Sequence, residues 1–281
     1  MKAAATATTI VPILLYHGVS DDCSAEIARF TVAPSTFDAQ LRQLAEAGYE
    51  TLTVSAFRPA LLGATERLPA RPLLITFDDG FANFATDALP MLQRYGFAAT
   101  LYATTGFIGA GPAAGRNRYG DPMLTWSELA AVSAAGVEVG AHTHDHPMLD
   151  TLPHAKARQE ITRSKELIEQ HLQAPVGSFA YPHGYSSAWV RHEVQKAGFT
   201  TACAVKNALS HTGDDLFAIA RLTIEAGHSP EAVAAMVAGH GVPVAPARES
   251  VKTWGWRQAR RTMAAGRRAS GRTGRPAGAG S

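Results

Sequence analysis

The sequence predicts an α/β fold with a mainly parallel sheet, in an arrangement that suits an α/β barrel. Apolar segments of strand length alternate with helical patterns six or seven times along the chain, which is typical of parallel α/β proteins. Several of these segments end in histidine or aspartate, and the active sites of α/β barrels lie where strands end. The 281 residues suffice for one barrel domain.

Apolar runs indicate the strands, and caps and glycines indicate the helix ends. In the first part of the chain these signals predict strands at 11–16, 50–54, 71–77 and 98–103 and helices at 36–46, 57–62 and 83–95. Helix 36–46 is representative because Ser35 can cap it, Phe37, Leu41 and Leu44 share one face, and Gly48 ends it.

The second part of the chain follows a glycine-rich loop at 106–121 and continues the alternation. The same signals predict helices at 126–135, 152–172, 186–197 and 230–237 and strands at 137–141, 176–181, 200–205 and 217–224. Helix 152–172 is the longest, with Ile161, Leu167, Ile168 and Leu172 as candidate core residues.

Charge divides the chain into a domain at 1–245 and a basic tail at 246–281. Eight Lys or Arg residues and no acidic residue follow Glu249, whereas the preceding segment carries a net charge of −6. We predict that the tail is disordered, although Trp254, Trp256 and the arginines beside them could form a short amphipathic helix. No nucleic-acid partner is expected, and peripheral membrane contact through the tail remains an option.

The N-terminal residues lack a signal-peptide pattern, so we expect a cytoplasmic protein, with the inner face of the membrane as one location. No apolar run reaches the roughly 20 residues of a membrane-spanning helix. Cys23 and Cys203 form no disulfide or metal motif, and both are expected to be free thiols.

Two strand ends carry the residues of a candidate metal site. The run Leu73–Phe77 leads into Asp78 and Asp79, and two adjacent buried carboxylates are costly unless a positive charge lies beside them. A second run ends in three histidines within five residues, His142, His144 and His146. One aspartate and two histidines make a three-ligand site for Zn²⁺ or a similar ion, with a fourth position open for water.

Three ordered motifs resemble those of polysaccharide deacetylases, the carbohydrate esterase family 4 proteins with a NodB homology domain. They read Thr-Phe-Asp-Asp-Gly at 76–80, His-Thr-His-Asp-His-Pro at 142–147 and Phe-Ala-Tyr-Pro-His-Gly at 179–184. The resemblance covers roughly residues 10–235. It implies a distorted (β/α) barrel of about seven strands and metal-dependent removal of acetyl groups from sugars.

The resemblance also implies residue roles. Asp78 is the general base, and Asp79, His142 and His146 hold the metal. The backbone N–H of His183 stabilises the oxyanion. Independently of the resemblance, Tyr181 either lines the sugar site or packs in the core. His144 points away from its neighbours if the segment is extended, so it is left out as a ligand, with a role in supporting the ligands as an option.

The chain departs from the common family pattern at two positions. It lacks the usual Leu-x-His motif near the C-terminal end of the domain, where His240 is a poor match. The opening Leu-Leu-Tyr-His-Gly-Val at 14–19 is instead similar to the exopolysaccharide-modifying branch, in which the barrel is circularly permuted, so His17 is the predicted general acid. Ala180 replaces an arginine that commonly pairs with the base, and Arg221 is the candidate substitute.

These observations favour a metal-dependent hydrolase that removes N-acetyl groups from a sugar polymer or glycan precursor. Its cofactor is expected to be one divalent ion, Zn²⁺ first, with Co²⁺, Ni²⁺ or Fe²⁺ as options. One alternative is a hydrolase of another non-peptide C–N bond on a small molecule. Another is a non-catalytic carbohydrate-binding protein, against which the base at Asp78 argues.

Overall fold

The computed structural model describes residues 8–64, 68–109, 115–246 and 251–269. Its strands are β1 Ile10–Val11, β2 Ile13–Tyr16, β3 Gly18–Val19, β4 Thr31–Val32, β5 Glu50–Leu52, β6 Pro72–Phe77, β7 Thr100–Ala103, β8 Glu138–Ala141, β9 Ser178–Ala180, β10 Thr201–Cys203, β11 Ser210–His211 and β12 Leu222–Thr223. Its α-helices are α1 Pro34–Glu46, α2 Val54–Leu61, α3 Leu89–Arg94, α4 Trp126–Ala134, α5 His154–Leu172, α6 Ala188–Lys196, α7 Pro230–Val237 and α8 Val251–Ala269. Strands and helices therefore alternate as the sequence predicts.

The main sheet is parallel and curls toward closure. Its strands follow the order β10-β9-β8-β7-β6-β2-β12, and β5 also pairs with β6. A parallel bridge between Cys203 and Ile219 places the segment just before β12 beside β10. Seven strand positions thus surround the interior, which confirms the predicted α/β class and the distorted barrel. The circular permutation stays a prediction.

The two faces of the sheet pack in different environments. Along β6, Leu73, Ile75 and Phe77 belong to a large apolar cluster shared with the helices. Leu74 belongs instead to a smaller cluster inside the barrel, together with Tyr102 and residues of α2. Because successive side chains of a strand point to opposite faces, residues 74, 76 and 78 face the interior. Asp78 therefore continues the inward row at the carboxyl end of β6.

Three predicted elements differ locally from the structure. Helix α1 begins at Pro34 without a side-chain cap, although Ser35 is the predicted cap. The predicted helix 83–95 begins with a π-helical turn at Phe84–Ala88, which places Pro90 in the first turn of α3, where a missing N–H costs little. The predicted strand 217–224 is confined to β12, because its earlier residues pair with β10 rather than β2.

Part of the predicted disordered tail is helical. Helix α8 spans Val251–Ala269, and Arg260 on it forms an ion pair with Asp150, so tertiary contacts hold a segment whose composition alone indicates disorder. Residues 247–250 and 270–281 lie outside the described part of the chain. None of the described helices is long and apolar enough to cross a membrane. Contact of the tail with an anionic membrane stays a prediction.

Candidate active site

The predicted site residues meet at the carboxyl ends of neighbouring parallel strands. This edge of the barrel carries His17 after β2, Asp78 and Asp79 after β6, His142 and His146 after β8, and His183 after β9. Arg221 directly precedes β12, which lies next to β2. The parallel topology, which brings all carboxyl ends to one edge, therefore assembles a site from residues up to 204 positions apart in the sequence.

Asp79, His142 and His146 form a compact donor set. Oδ1 of Asp79 lies 3.2 Å from Nε2 of His146 and 3.6 Å from Nε2 of His142. The three ligand atoms all lie within 4.8 Å of one another, and tetrahedral zinc ligands are expected about 3.4 Å apart. Oδ1 of Asp79 is buried and has no hydrogen-bond partner among the described residues. The donor set thus fits a metal ion, which would supply the missing partner of this oxygen.

His142 is oriented as a metal ligand, and both histidines are uncharged, as metal ligation requires. Nδ1 of His142 lies 2.8 Å from the carbonyl oxygen of Ala180, which favours a proton on Nδ1 and leaves Nε2 free to bind a metal. Burial lowers the pKa of His142, against the pull of Asp78. Burial, aided by the neighbouring His142, lowers the pKa of His146 well below its ordinary value. Both imidazoles are therefore neutral at pH 7.

Asp79 is held in a backbone conformation that ordinary residues avoid. Its φ of +75° lies in the left-handed region, and so do the φ values of Thr143 at +67° and His146 at +56° in the opposite loop. Such conformations cost about 1 kcal/mol or more each and persist where the surroundings enforce them. Burial raises the pKa of Asp79 to about 6. Strained backbone and a desolvated carboxyl thus coincide at the candidate metal site.

Asp78 is paired with Arg221, the residue predicted to replace the missing arginine. Nη1 and Nη2 of Arg221 donate to Oδ1 and Oδ2 of Asp78 at 2.6 and 2.8 Å. Arg221 also donates to Thr76 Oγ1 and to the carbonyl oxygen of Ala204. Burial opposes ionisation, but Arg221 and His142 hold the pKa of Asp78 below its ordinary value. Asp78 is therefore a carboxylate at neutral pH, as a general base must be.

His17 lies at the carboxyl edge of the barrel that carries the site, whereas His240 lies outside the site. The ring of His17 packs 5.1 Å from the ring of Phe30, and its Nδ1 is buried without a hydrogen-bond partner in the part of the chain described. Burial lowers the pKa of His17 below its ordinary value, although the charges of Asp79 and Asp78 act in the opposite direction. His240 is exposed beyond the end of α7. The structure thus brings His17 to the carboxylates, and its role as general acid stays a prediction.

The third motif places His183 in the site and Tyr181 outside it. The ring of His183 lies 4.9 Å from that of His146, and the φ of His183 is +57°. Tyr181 is fully buried, and its hydroxyl donates to the carbonyl oxygen of Phe217. It packs with Phe179 on the outer face of the sheet, because alternation along β9 turns Ala180 inward. Of its two predicted roles, Tyr181 therefore has the packing role, and the sugar contact is excluded.

The site also contains supporting residues that the sequence analysis missed. Oε2 of Glu160, on α5, accepts hydrogen bonds from the backbone N–H groups of His144 and Asp145 at 3.0 and 2.8 Å. The imidazole of His144 contacts Thr105 Oγ1 and Arg163 Nε at 2.9 and 3.1 Å. These contacts fix the loop between the two histidine ligands. Helix periodicity marks 160 as a polar position on α5 but gives no sign of the loop it meets.

Comparisons with known proteins agree with the fold and the motifs. The polysaccharide deacetylase family model matches residues 65–202. YxkH of Bacillus subtilis, named as a polysaccharide deacetylase, is 25% identical over 228 residues, which cover 81% of this chain and 76% of that protein. The poly-β-1,6-N-acetyl-D-glucosamine N-deacetylase of Escherichia coli K12 is 23% identical over 230 residues, which cover 70% of this chain and 34% of the relative. The match thus spans only about a third of the Escherichia coli protein.

A solved structure with the same architecture is the Streptococcus pyogenes deacetylase PplD in complex with acetate. It is 26% identical, with a TM-score of 0.71, and the match covers 81% of this chain and 98% of that one. The motifs, the barrel and these matches agree. Residues 65–202 of this chain therefore form a polysaccharide deacetylase domain, and polysaccharide deacetylases are hydrolases that act on carbon–nitrogen bonds.

Proposed function

We propose that this protein removes N-acetyl groups from an N-acetylated glycan in a reaction that depends on a divalent metal ion, with Zn²⁺ as the first choice. One observation carries the proposal. The buried, unpartnered Oδ1 of Asp79 faces two neutral imidazoles, directly beside the ionised Asp78. Metal-assisted amide hydrolysis requires at least a metal site and a general base beside it.

Asp79, His142 and His146 would hold the metal. When bound, a divalent ion supplies Lewis-acid polarisation of the acetyl oxygen and lowers the pKa of a water molecule. Asp78 accepts a proton from the attacking water, and its pair with Arg221 keeps it ionised for that step. The new C–O bond forms at the acetyl carbon first and gives a tetrahedral oxyanion, and the C–N bond breaks when this oxyanion collapses.

Two further groups complete the reaction. The backbone N–H of His183 is the proposed donor to the oxyanion, in line with the general use of backbone donors at such positions. His17 is the proposed donor of a proton to the leaving amine. The products are acetate and a free amino sugar, so every atom of the added water is accounted for.

The proposed substrate is a polymer of N-acetylglucosamine of the exopolysaccharide type. The support comes from the names of the Escherichia coli and Staphylococcus aureus relatives, which are poly-β-1,6-N-acetyl-D-glucosamine N-deacetylases. Two residues near the metal-ligand loop are candidates to contact such a chain. Arg118 donates to the carbonyl oxygen of Asp145, next to His146, and its guanidinium lies 6.0 Å from the ring centre of Tyr119, which is 45% exposed.

The test measures acetate released from β-1,6-linked and β-1,4-linked N-acetylglucosamine oligomers and from nucleotide- or lipid-linked N-acetyl sugars. Metal-stripped protein is compared with protein reloaded with Zn²⁺ or Co²⁺. Asp78→Asn is the active-site variant, and Asp38→Asn, which removes a carboxylate paired with Arg94 on the protein surface, is its matched control. We expect metal-dependent release that Asp78→Asn abolishes and Asp38→Asn retains.

Two outcomes would overturn this proposal. Tight metal binding without acetate from any sugar would favour a hydrolase of small non-sugar amides. Glycan binding with neither metal uptake nor acetate release would favour a carbohydrate-binding protein.

A further inference from the structure

The C-terminal helix α8 reaches a loop that follows the metal-ligand motif. Nη2 of Arg260 donates to Oδ2 of Asp150 at 2.8 Å. Asp150 lies in a 3₁₀ turn at Leu149–Thr151, four residues after His146. Its side chain is fully buried, and that of Arg260 is only 10% exposed. An ion pair that is largely withdrawn from water therefore joins the basic C-terminal helix to the loop that follows His146.

The same guanidinium also touches the loop that carries His183. It lies 3.6 Å from the centre of the Tyr185 ring, a distance at which a cation is attracted to an aromatic face. Tyr185 stacks on the imidazole of His183, with ring centres 6.1 Å apart and planes inclined by 24°. His183 in turn contacts the ring of His146. A continuous row of contacts thus runs from α8 to a candidate metal ligand.

Arginine is suited to this double contact. Its planar guanidinium can donate to a carboxylate along one edge while presenting its face to an aromatic ring, which the compact ammonium of lysine does not reproduce. Arg260 lies well outside the residues 65–202 that match the family model. The match to the family model therefore assigns this contact no role.

We propose that Arg260 is a positioning residue for the active site. By binding Asp150 and Tyr185 together, it holds the His183 loop against the loop at 147–152 that follows His146. The catalytic part of this inference rests on the proposed function, because it assigns the oxyanion contact to His183. The structural part, that α8 fixes both loops, stands without it. Helix α8 of the basic C-terminal segment then helps to support the active site.

The test compares Arg260→Gln with Arg261→Gln. Arg261 is the next residue on α8, and it is exposed, so it is a control of the same charge and helix. Amide hydrogen exchange reports on the loops at 147–152 and 182–187, Zn²⁺ titration reports on the metal site, and acetate release gives kcat and KM. We expect Arg260→Gln to speed exchange in both loops and to lower kcat by about 10- to 100-fold.

Zn²⁺ affinity should change little in Arg260→Gln, because His183 is not in the donor set. Arg261→Gln should match the wild type in every measurement. Arg260→Lys should be intermediate, since it can keep the charge on Asp150 but loses the flat contact with Tyr185. Unchanged exchange and unchanged kcat in Arg260→Gln would overturn the inference.

The double variant Asp150→Asn/Arg260→Gln separates positioning from simple charge neutralisation. It leaves no unpaired buried carboxylate. It therefore shows whether the effects of Arg260→Gln come only from misfolding around an unpaired Asp150. If Arg260 positions Tyr185, the double variant still has fast loop exchange and low kcat. Wild-type behaviour of the double variant would mean that Arg260 only neutralises Asp150, which contradicts the proposal. If the wild type releases no acetate, the proposed function fails while the exchange data still decide the role of α8.

Discussion

Arg221 and Asp78 form a two-pronged ion pair inside the barrel, with N–O distances of 2.6 and 2.8 Å and both side chains at most 4% exposed. They lie 143 positions apart in the sequence. A buried carboxylate is stable in its charged form only when a partner offsets its lost hydration. The pair therefore joins two requirements of the site, a stable barrel interior and an ionised base.

We predict that Arg221→Met destabilises the protein by about 3–5 kcal/mol, because it leaves Asp78 buried and unpaired. Acetate release should be lost as well, since the unpaired carboxyl becomes protonated at neutral pH. Denaturant unfolding and the acetate assay measure the two effects. Arg221→Met/Asp78→Leu should regain part of the stability but none of the activity. Equal stability of Arg221→Met and wild type would contradict the prediction.

The pH dependence of this variant has a defined sign. In the wild type the folded-state pKa of Asp78 is lowered, so its stabilising contribution is present above the unfolded pKa and is lost as pH falls through the folded pKa. In Arg221→Met the folded-state pKa of Asp78 should lie above its unfolded value. The ionised Asp78 then destabilises the folded protein at high pH, and protonation removes this destabilisation. The stability deficit of the variant should therefore shrink between pH 7 and pH 5.

Much of the site could be predicted because each strand end carries its own local signal. The runs before Asp78 and His142 are apolar, of strand length and followed at once by polar residues, and topology then brings their ends together. The pairing of Arg221 with Asp78 followed from the absence of an arginine at Ala180 in a motif that otherwise matches the family.

Other features depend on tertiary packing that no local pattern contains. Both faces of β9 are buried, so its apolar run does not indicate whether Ala180 or Tyr181 faces the interior. The ion pair between Arg260 and Asp150 spans 110 positions, and the composition of the tail alone indicates disorder. The sequence alone could not decide between the alternatives for Tyr181 and for the tail, because long-range contacts, rather than local preference, determine both.

As pH falls, protonation of Asp79 should weaken metal binding at a higher pH than protonation of the two histidines does. Burial raises the pKa of Asp79 to about 6, whereas burial lowers that of His142 and His146. The carboxylate form binds metal, so affinity should be flat above pH 6 and fall about tenfold per pH unit just below it. Zn²⁺ titration with a competing chelator between pH 5 and 8 measures this.

Asp79→Asn is the control for this assignment. Its amide does not titrate, so Zn²⁺ affinity should be weaker at pH 8 and should lose the break near pH 6. A break near pH 4 in the wild type would show instead that the Asp79 carboxyl is well solvated.

Glu160 should matter for metal binding although it touches no metal ligand atom. Glu160→Ala removes the acceptor for two backbone N–H groups between His142 and His146, so the loop should loosen. We expect Zn²⁺ affinity to fall about 10- to 100-fold, as for other residues that orient metal ligands. Glu166→Ala, at an exposed position on the same helix, should leave affinity unchanged. Equal affinities of the two variants would rule out this role of Glu160.

His17 should be required for turnover and dispensable for the metal. It lies at the end of β2, close enough for Asp78 and Asp79 to affect its pKa, but it is not part of the donor set. His17→Ala should lower kcat by about 10²–10⁴-fold, the usual contribution of a general acid, with metal content unchanged. His240→Ala, the alternative position, should behave as the wild type. Loss of metal from His17→Ala would assign the residue to the metal site, and retained turnover would remove it from the reaction.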